Sequence, residues 1–314
     1  MKRRNMLMKL TGGFVASLFA GCSTLKFLPG RAHKNFKIVG YSPSYRRMPT
    51  PEQLSKLTHV IYSFVAPSPE GGVTNNIKNL QELVDAAHKQ GVKAGLAIGG
   101  GAYRDGNFPA IVATAEMRKA FCDACMNEVN KYGLDGIDMD WEYPDKGIQA
   151  EGYALLMGQL ANALHAKGKF LSSAVTDNDW PGSISPGSSV LKDVDFLNVM
   201  VYDRGRPHST YKLAEDSIQV WCGVKGLPKE KYMLGVPFYA RIPSQATYAA
   251  IVSQYPEAAN EDAVGGFDYN GKPTIIKKTN LALELAGGIM IWEIGQDAPG
   301  DASLLTTIHD TVRK

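Results

Sequence analysis

Eight short apolar or β-branched runs, separated by longer stretches of helical period, constrain this chain more than any other feature. They are Phe36 to Tyr41, His59 to Phe64, Val92 to Ile98, Gly136 to Asp140, Phe170 to Val175, Phe196 to Tyr202, Met233 to Tyr239 and Ile289 to Glu293. Between the second and third, Ile77, Leu80, Leu83, Val84 and Ala87 repeat at three-to-four spacing, with Gly91 as a candidate C-cap. Further helical segments cover 115–132, 148–167, 212–223, 274–286 and, after the last run, 302–313. Such alternation builds a parallel sheet. Eight units in about 280 residues predict a closed (β/α)8 TIM barrel, one α/β domain over residues 35–314, and not an open doubly wound sheet. About 48 residues separate the seventh run from the eighth; they must contain a helix, and Asn270-Gly271 reads as a tight turn, which leaves no room for an inserted domain.

Composition narrows the function classes. Gly99-Gly100-Gly101 is the one Gly-rich phosphate-loop candidate, and it lacks both G-x-G-x-x-G and G-K-[ST], so no nucleotide cofactor is expected. The formal charge of +3 falls to −1 once Lys2, Arg3, Arg4 and Lys9 of the first 21 residues are set aside. With no Lys/Arg run to track a phosphate backbone, nucleic acid is not an expected partner, and a neutral or weakly charged one is. Cys122 and Cys125 form a C-x-x-C inside a helical stretch, without a second Cys/His pair at zinc-ligand spacing, and read as packing residues. A monomer is the default expectation.

The N-terminus reads as an address. A basic start leads into the mostly apolar run Leu10 to Ala20, which has 11 residues, includes Gly12 and Gly13, and is too short for the roughly 20-residue span of a membrane helix. Leu18-Phe19-Ala20-Gly21-Cys22 resembles a bacterial lipobox, which implies cleavage before Cys22 and a diacylglycerol on its thiol. Residues 1–21 are then a signal peptide and 22–34 a lipidated tether. Arg3-Arg4-Asn5-Met6-Leu7 loosely resembles a twin-arginine signal. The expected location is a bacterial cell envelope, in the periplasm or at the cell surface.

The chemistry is concentrated in Leu134-Asp135-Gly136-Ile137-Asp138-Met139-Asp140-Trp141-Glu142-Tyr143-Pro144. Strand side chains alternate, so Asp138, Asp140 and Glu142 share one face while Ile137, Met139 and Trp141 share the other. The apolar face suits the helix layer, which turns the acids into the barrel and puts Glu142 nearest the C-terminal mouth, where barrel enzymes keep their chemistry. Like charges about 6–7 Å apart in a partly dry interior disfavour joint ionisation. At least one of the three is expected to hold a proton near neutral pH, and a protonated carboxyl is a general acid. A divalent-cation site is the competing reading of three acids; with no His nearby, no metal is expected.

Asp135-x-x-Asp138-x-Asp140-x-Glu142 followed by Tyr143-Pro144 resembles the signature of the family 18 glycoside hydrolases, the chitinase family. Met200-x-Tyr202-Asp203 is similar to that family's M-x-Y-D motif, Gly235 to Arg241 to its G-x-P-x-Y segment, and Gly288 to Trp292 to its last strand. The resemblance covers roughly residues 36–312. It implies retaining hydrolysis of β-1,4-linked N-acetylglucosamine polymers in which the substrate's own N-acetyl carbonyl attacks C1. Glu142 would be the general acid and base, Asp140 would orient the acetamido group, Tyr202 would hydrogen-bond its oxygen, and Asp138 would share a proton with Asp140. Asp203, Met200 and Trp292 would shape the sugar site, the counterpart of Tyr41 supports the inner Asp, and Tyr239 and Arg241 are candidate sugar contacts. Phe64 and Trp180 are weaker candidates.

Two departures from the family pattern carry consequences. Ala97 stands where the family usually has a Ser, which removes one hydrogen bond to Asp138 and predicts a shifted pH optimum. Gly101 stands where many chitinases carry Trp, so a sugar platform on the leaving-group side is missing. With no insertion domain, the cleft is expected to be shallow and the enzyme endo-acting and non-processive. Two other readings use the same residues: an endo-β-N-acetylglucosaminidase cutting N-glycan chitobiose cores, and a catalytically silent glycan-binding lectin. The retained Glu142 argues against the lectin.

Overall fold

The computed structural model describes residues 35–74, 77–103, 106–178 and 188–314. The signal peptide, the tether with Cys22, and Trp180 lie outside them. Eight parallel strands close into a barrel: β1 (Lys37–Pro43), β2 (His59–Val65), β3 (Lys93–Gly99), β4 (Gly136–Asp140), β5 (Phe170–Thr176), β6 (Phe196–Met200), β7 (Tyr232–Pro237) and β8 (Gly288–Trp292). Each pairs with its neighbours in sequence, and β1 with β8 through Lys37 opposite Gly288 closes the ring. Outside lie α1 (Leu80–Lys89), α2 (Ala115–Tyr132), α3 (Ile148–His165), α4 (Tyr211–Ile218), α5 (Lys272–Leu285) and α6 (Leu304–Arg313), with shorter helices between.

Local chemistry sets the helix ends. The Thr114 hydroxyl accepts from the Met117 amide to start α2, and Gly133, at φ 67°, ends it in a conformation that costs glycine little. Gly91 turns the chain after α1 in the same way, at φ 71°. Leu80, Leu83, Val84 and Ala87 are the buried face of α1.

Period two on the strands separates two apolar layers. Ile137, Met139 and Trp141 face outward into the layer between sheet and helices, where Trp141 stacks on Phe108 with ring centroids 5.2 Å apart. Val39, Ile61, Phe170, Phe196, Met233 and Met290 face inward and plug the barrel. Burying a side chain of this size contributes about 1.5–3 kcal/mol, so the plug is a packed core and not a pore.

Three expectations need correction. Strand β6 ends at Met200 and not at Tyr202, and β7 at Pro237, because Tyr239 and Ala240 leave the barrel to pair with Thr247 and Ala246 in a short ribbon. The helix expected over 212–223 stops at Ile218 and continues as a wider π turn over Gln219–Val224. Asn270-Gly271 is not a tight hairpin turn: Gly271 has φ −82° and caps α5, while Asn270 is buried and its side-chain amide donates to the Ser209 and Tyr269 carbonyls. The two-residue turn is instead Gly265-Gly266, both at positive φ, between Ala263–Val264 and Phe267–Asp268. The stretch between β7 and β8 thus holds two short ribbons and helices, with no inserted domain.

At the C-terminal end, β3 and β4 approach closely. Gly99 and Gly100 take φ 112° and 92°, a Cβ on Gly99 would stand 2.2 Å from the Asp140 carbonyl oxygen, and the Gly100 amide donates to that oxygen at 2.7 Å. Gly99→Ala is expected to lower stability by about 3 kcal/mol, combining clash and backbone strain. Gly91→Ala, where nothing lies within 4 Å of the added carbon, should cost only about 1 kcal/mol. Equal urea midpoints for the two variants would contradict this reading of the glycine pair.

Candidate active site

Asp138 and Asp140, at 0% and 3% exposure, point into the barrel from β4, and Glu142 follows at the mouth. Asp138 is the best-held group of the set. Its Oδ2 accepts from the Tyr41 hydroxyl at 2.6 Å, and its Oδ1 accepts from the Ser172 hydroxyl at 2.6 Å and the Asn198 side-chain amide at 3.0 Å. Asn198 also donates to the Tyr41 oxygen at 3.0 Å. Burial pushes the Asp138 carboxyl above the usual range, and the Ser172, Tyr41 and Asn198 bonds act against that push.

Asp140 is held differently. Burial first, then the charges of Glu142 and Asp138, drive its carboxyl well above the ordinary value, which favours its protonated form. Its buried Oδ1 has no hydrogen-bond partner among the described residues. Such an orphan costs about 1–3 kcal/mol. The Tyr143 hydroxyl donates to Glu142 Oε2 at 3.1 Å. A Cβ on Gly101 would come within 3.2 Å of Glu142 Oε1, so the Gly101 backbone lies directly against this side of the acid.

The loop after β6 completes the mouth. Tyr202 is buried, and burial together with Tyr239, Asp140, Asp203 and Glu142 raises its hydroxyl well above the ordinary value, which keeps it a proton donor. That hydroxyl makes a long contact, 3.9 Å, with the Met290 sulfur. Asp203 takes φ 63°, which residues other than glycine use sparingly. It accepts from the Tyr239 hydroxyl at 2.8 Å and pairs with Arg241 at 3.0 Å and His208 at 3.3 Å. Burial works to raise its carboxyl, and His208, Tyr239 and Arg241 outweigh it, leaving Asp203 ionised. Beneath the loop, the buried Lys278 ammonium donates to the Ser209 carbonyl and hydroxyl and to the Asn270 side-chain oxygen, while the Ser209 hydroxyl donates to the Val201 carbonyl.

Opposite lies an aromatic wall. The edges of Tyr41 and Trp292 meet with centroids 5.5 Å apart, and Phe64 stacks on Trp292 at the same separation. Tyr41, Tyr202 and Tyr239 belong to one buried cluster against which Met200, Trp292 and Phe64 pack. Every candidate residue within the described part therefore comes together at one end of the barrel, and Phe64, ranked low from sequence, is among them. Asp135, the first acid of the motif, is elsewhere: it accepts from the Ala94 amide and pairs with His88 and Lys169 at the opposite end.

Sequence reading passed over Ser172, Asn198 and His208. Period two would have found the first two, since Ser172 alternates with the inward Phe170 and Asn198 with Met200 and Tyr202. Asp138 lies between Ala97 on β3 and Ser172 on β5 in the strand register. The hydroxyl expected from β3 is thus replaced by one from β5, and the hydrogen-bond deficit expected at Ala97 is made good. Ser172→Ala is expected to raise the Asp138 carboxyl and move the acid limb of kcat/KM to higher pH by about one unit. Ala97→Ser in that background should move the limb back. An acid limb unmoved by Ser172→Ala would contradict the exchange.

Comparison with known proteins places this architecture. Residues 37–297 match the model of glycosyl hydrolases family 18. Chitinase 1 of Aphanocladium album is 25% identical over 81% of this chain and 79% of its own length. Mouse chitotriosidase-1 is 30% identical over 59% of this chain, a match spanning 47% of the mouse protein. Among solved structures, the GH18 chitinase ChiB from the chitin utilization locus of Flavobacterium johnsoniae superposes with a TM-score of 0.78 at 28% identity, covering 88% of this chain and 94% of that one. A barrel whose fourth strand carries two inward acids with a third, Glu142, just beyond its end, and whose family match spans nearly all of that barrel, assigns this chain to glycosyl hydrolase family 18.

Proposed function

We propose that the protein is a retaining, endo-acting chitinase, a hydrolase of β-1,4-linked N-acetylglucosamine chains that uses the substrate's acetamido group as nucleophile. The observation that carries this reading is the buried Asp140 carboxyl, whose Oδ1 has no partner among the described residues and which lies close enough to Glu142 and Tyr202 for their charges to act on one another. Glu142 donates its proton to the glycosidic oxygen as the C1–O bond breaks. The acetamido carbonyl oxygen attacks C1, its N–H is held by Asp140, and the Tyr202 hydroxyl donates to the attacking oxygen. An intramolecular nucleophile of this kind acts only in a near-attack geometry, which two fixed polar groups supply. As positive charge develops on the ring nitrogen, Asp140 shifts its proton toward Asp138 and becomes the fixed anion that stabilises it. Glu142, now a carboxylate, takes a proton from water; the water oxygen attacks C1 from the face the leaving group left as the bond between C1 and the acetamido oxygen breaks, the acetamido group is restored, and the configuration is retained.

Asp203, Met200 and Trp292 form the walls of the sugar site, with Tyr239 and Arg241 at its rim. The glycine at 101 and the short ribbons between β7 and β8 favour an open cleft, hence internal cleavage of soluble or amorphous chains without processive movement. The names of the similar Aphanocladium album and Flavobacterium johnsoniae proteins support the choice of chitin. Residues 1–34 support export as a lipid-anchored envelope protein.

Product analysis on chitotetraose tests the reading. Wild type should release chitobiose, Glu142→Gln should lose at least about a thousandfold in kcat, and Tyr202→Phe should lose about tenfold to a hundredfold. Cleavage of a high-mannose N-glycan without cleavage of chitotetraose would move the protein to the endo-β-N-acetylglucosaminidases. Binding of both without turnover of either would make it a lectin.

A further inference from the structure

A cavity of about 700 Å³ opens at the N-terminal end of the barrel, opposite the carboxylates, and no step of the proposed reaction uses it. Asn35, Lys37, His59, Lys93, Lys229 and Glu230 are among the residues lining it. Bases at this end of a barrel ordinarily complement helix C-terminal dipoles. Lys37 and Lys93 do not fit that explanation, because they begin strands β1 and β3. Their field is felt by the groups around them. Burial first, then Lys93 and Lys37, pushes His59 down to about 3, and burial and Lys93 also lower Lys37 against the opposing pull of Asp195 and Glu230. His59 is neutral.

The basic character extends around the cavity. Each helix end or connection leading into β2 through β7 carries a lysine, Lys56, Lys89, Lys131, Lys167, Lys192 and Lys229 among them. The acids in the same segments are Glu52, Glu128, Asp135, Asp193, Asp195 and Glu230, of which Glu52 pairs with Lys56 and Glu128 with Lys131. Asp135 is engaged by His88 and Lys169, and Asp195 by His165. This excess sits on a chain whose residues beyond 21 sum to −1, so the basic face is a local feature and not the protein's average.

The chain also arrives at this end, since Asn35 lines the cavity and β1 starts at Lys37. Residues 22–34 carry Lys26, Arg31 and Lys34 and no acid. Thirteen residues reach at most about 45 Å, so a lipid on Cys22 would keep the N-terminal face of the barrel within that distance of the bilayer. We propose that this basic face, with the cavity at its centre, docks on the anionic phospholipid head groups of the membrane that holds the lipid on Cys22. The carboxylate mouth then faces away from the bilayer, toward incoming polymer. The inference rests on the reading of residues 1–34 as a lipoprotein signal and tether, and each base near an anionic surface strengthens partitioning about fivefold.

The test uses residues 22–314 with Cys22→Ser, which contains the whole barrel and no lipid, in co-sedimentation with vesicles. Binding is expected to phosphatidylcholine vesicles containing about one-third phosphatidylglycerol and not to phosphatidylcholine alone, and it should fade as salt is raised. The triple variant Lys37→Gln/Lys93→Gln/Lys229→Gln should lose about a hundredfold in partitioning while its hydrolysis of chitotetraose stays unchanged. Equal binding to both vesicle types would overturn the docking face. So would binding untouched by the triple variant but abolished by Lys26→Gln/Arg31→Gln/Lys34→Gln. Palmitate labelling of the full chain, expected in wild type and absent in Cys22→Ser, tests the anchor separately; absence of label in wild type would overturn the lipid reading on which the orientation rests.

Discussion

Two carboxyl groups buried inside a barrel organise everything else in this structure. Asp138 is tolerated there because Tyr41 on β1, Ser172 on β5 and Asn198 on β6 all converge on it. Asp140, one inward position further along the strand, has no such support among the described residues, and burial and its acidic neighbours push its carboxyl well above the ordinary range. An unsupported buried acid is costly unless something offsets the cost. The closed sheet and the packed aromatic plug below supply that scaffold, and the cost is localised where a substrate's polar group can relieve it. The separation of roles between neighbours on one strand, one acid satisfied and one poised, follows from which adjoining strands carry donors at their level.

The same logic explains the machinery at the mouth. The Asp203 backbone is held in a sparsely used conformation by His208, Tyr239 and Arg241 from above and by the Lys278–Ser209–Val201 relay from below. Because Tyr202 precedes Asp203, that clamp also fixes the tyrosine hydroxyl next to the acids. The glycine pair ending β3 brings the Asp140 backbone within hydrogen-bonding distance.

Much of this was legible in sequence because strand alternation is strict. Asp138, Asp140 and Glu142 had to share a face once Ile137, Met139 and Trp141 were assigned to the helix layer, and the structure packs the apolar three there. Asp135 looked like part of the same constellation but falls out of it, since an acid at the strand's entrance is far from the mouth and serves to tie Ala94 and His88 to β4. Ser172 and Asn198 were missed because small polar residues on short apolar strands give no composition signal; only counting inward positions on β5 and β6 exposes them. Asn270-Gly271 was misread because its dipeptide favours hairpins locally, whereas here the Asn side chain is consumed by Ser209 and Lys278 and the Gly by a helix start. Phe64 was undervalued since its partner Trp292 lies more than two hundred residues away, a contact that only barrel closure creates.

The central claim is that the substrate, and not the protein, supplies the nucleophile that Asp140 and Tyr202 hold. The most direct measurement compares chitopentaose with cellopentaose, which has the same linkage and a hydroxyl in place of each acetamido group, while proton NMR follows the anomer released in the first minutes. The account predicts rapid cleavage of chitopentaose to a β-anomeric product and no detectable turnover of cellopentaose. Cleavage of both at similar rates, or an α-anomeric first product from chitopentaose, would contradict it.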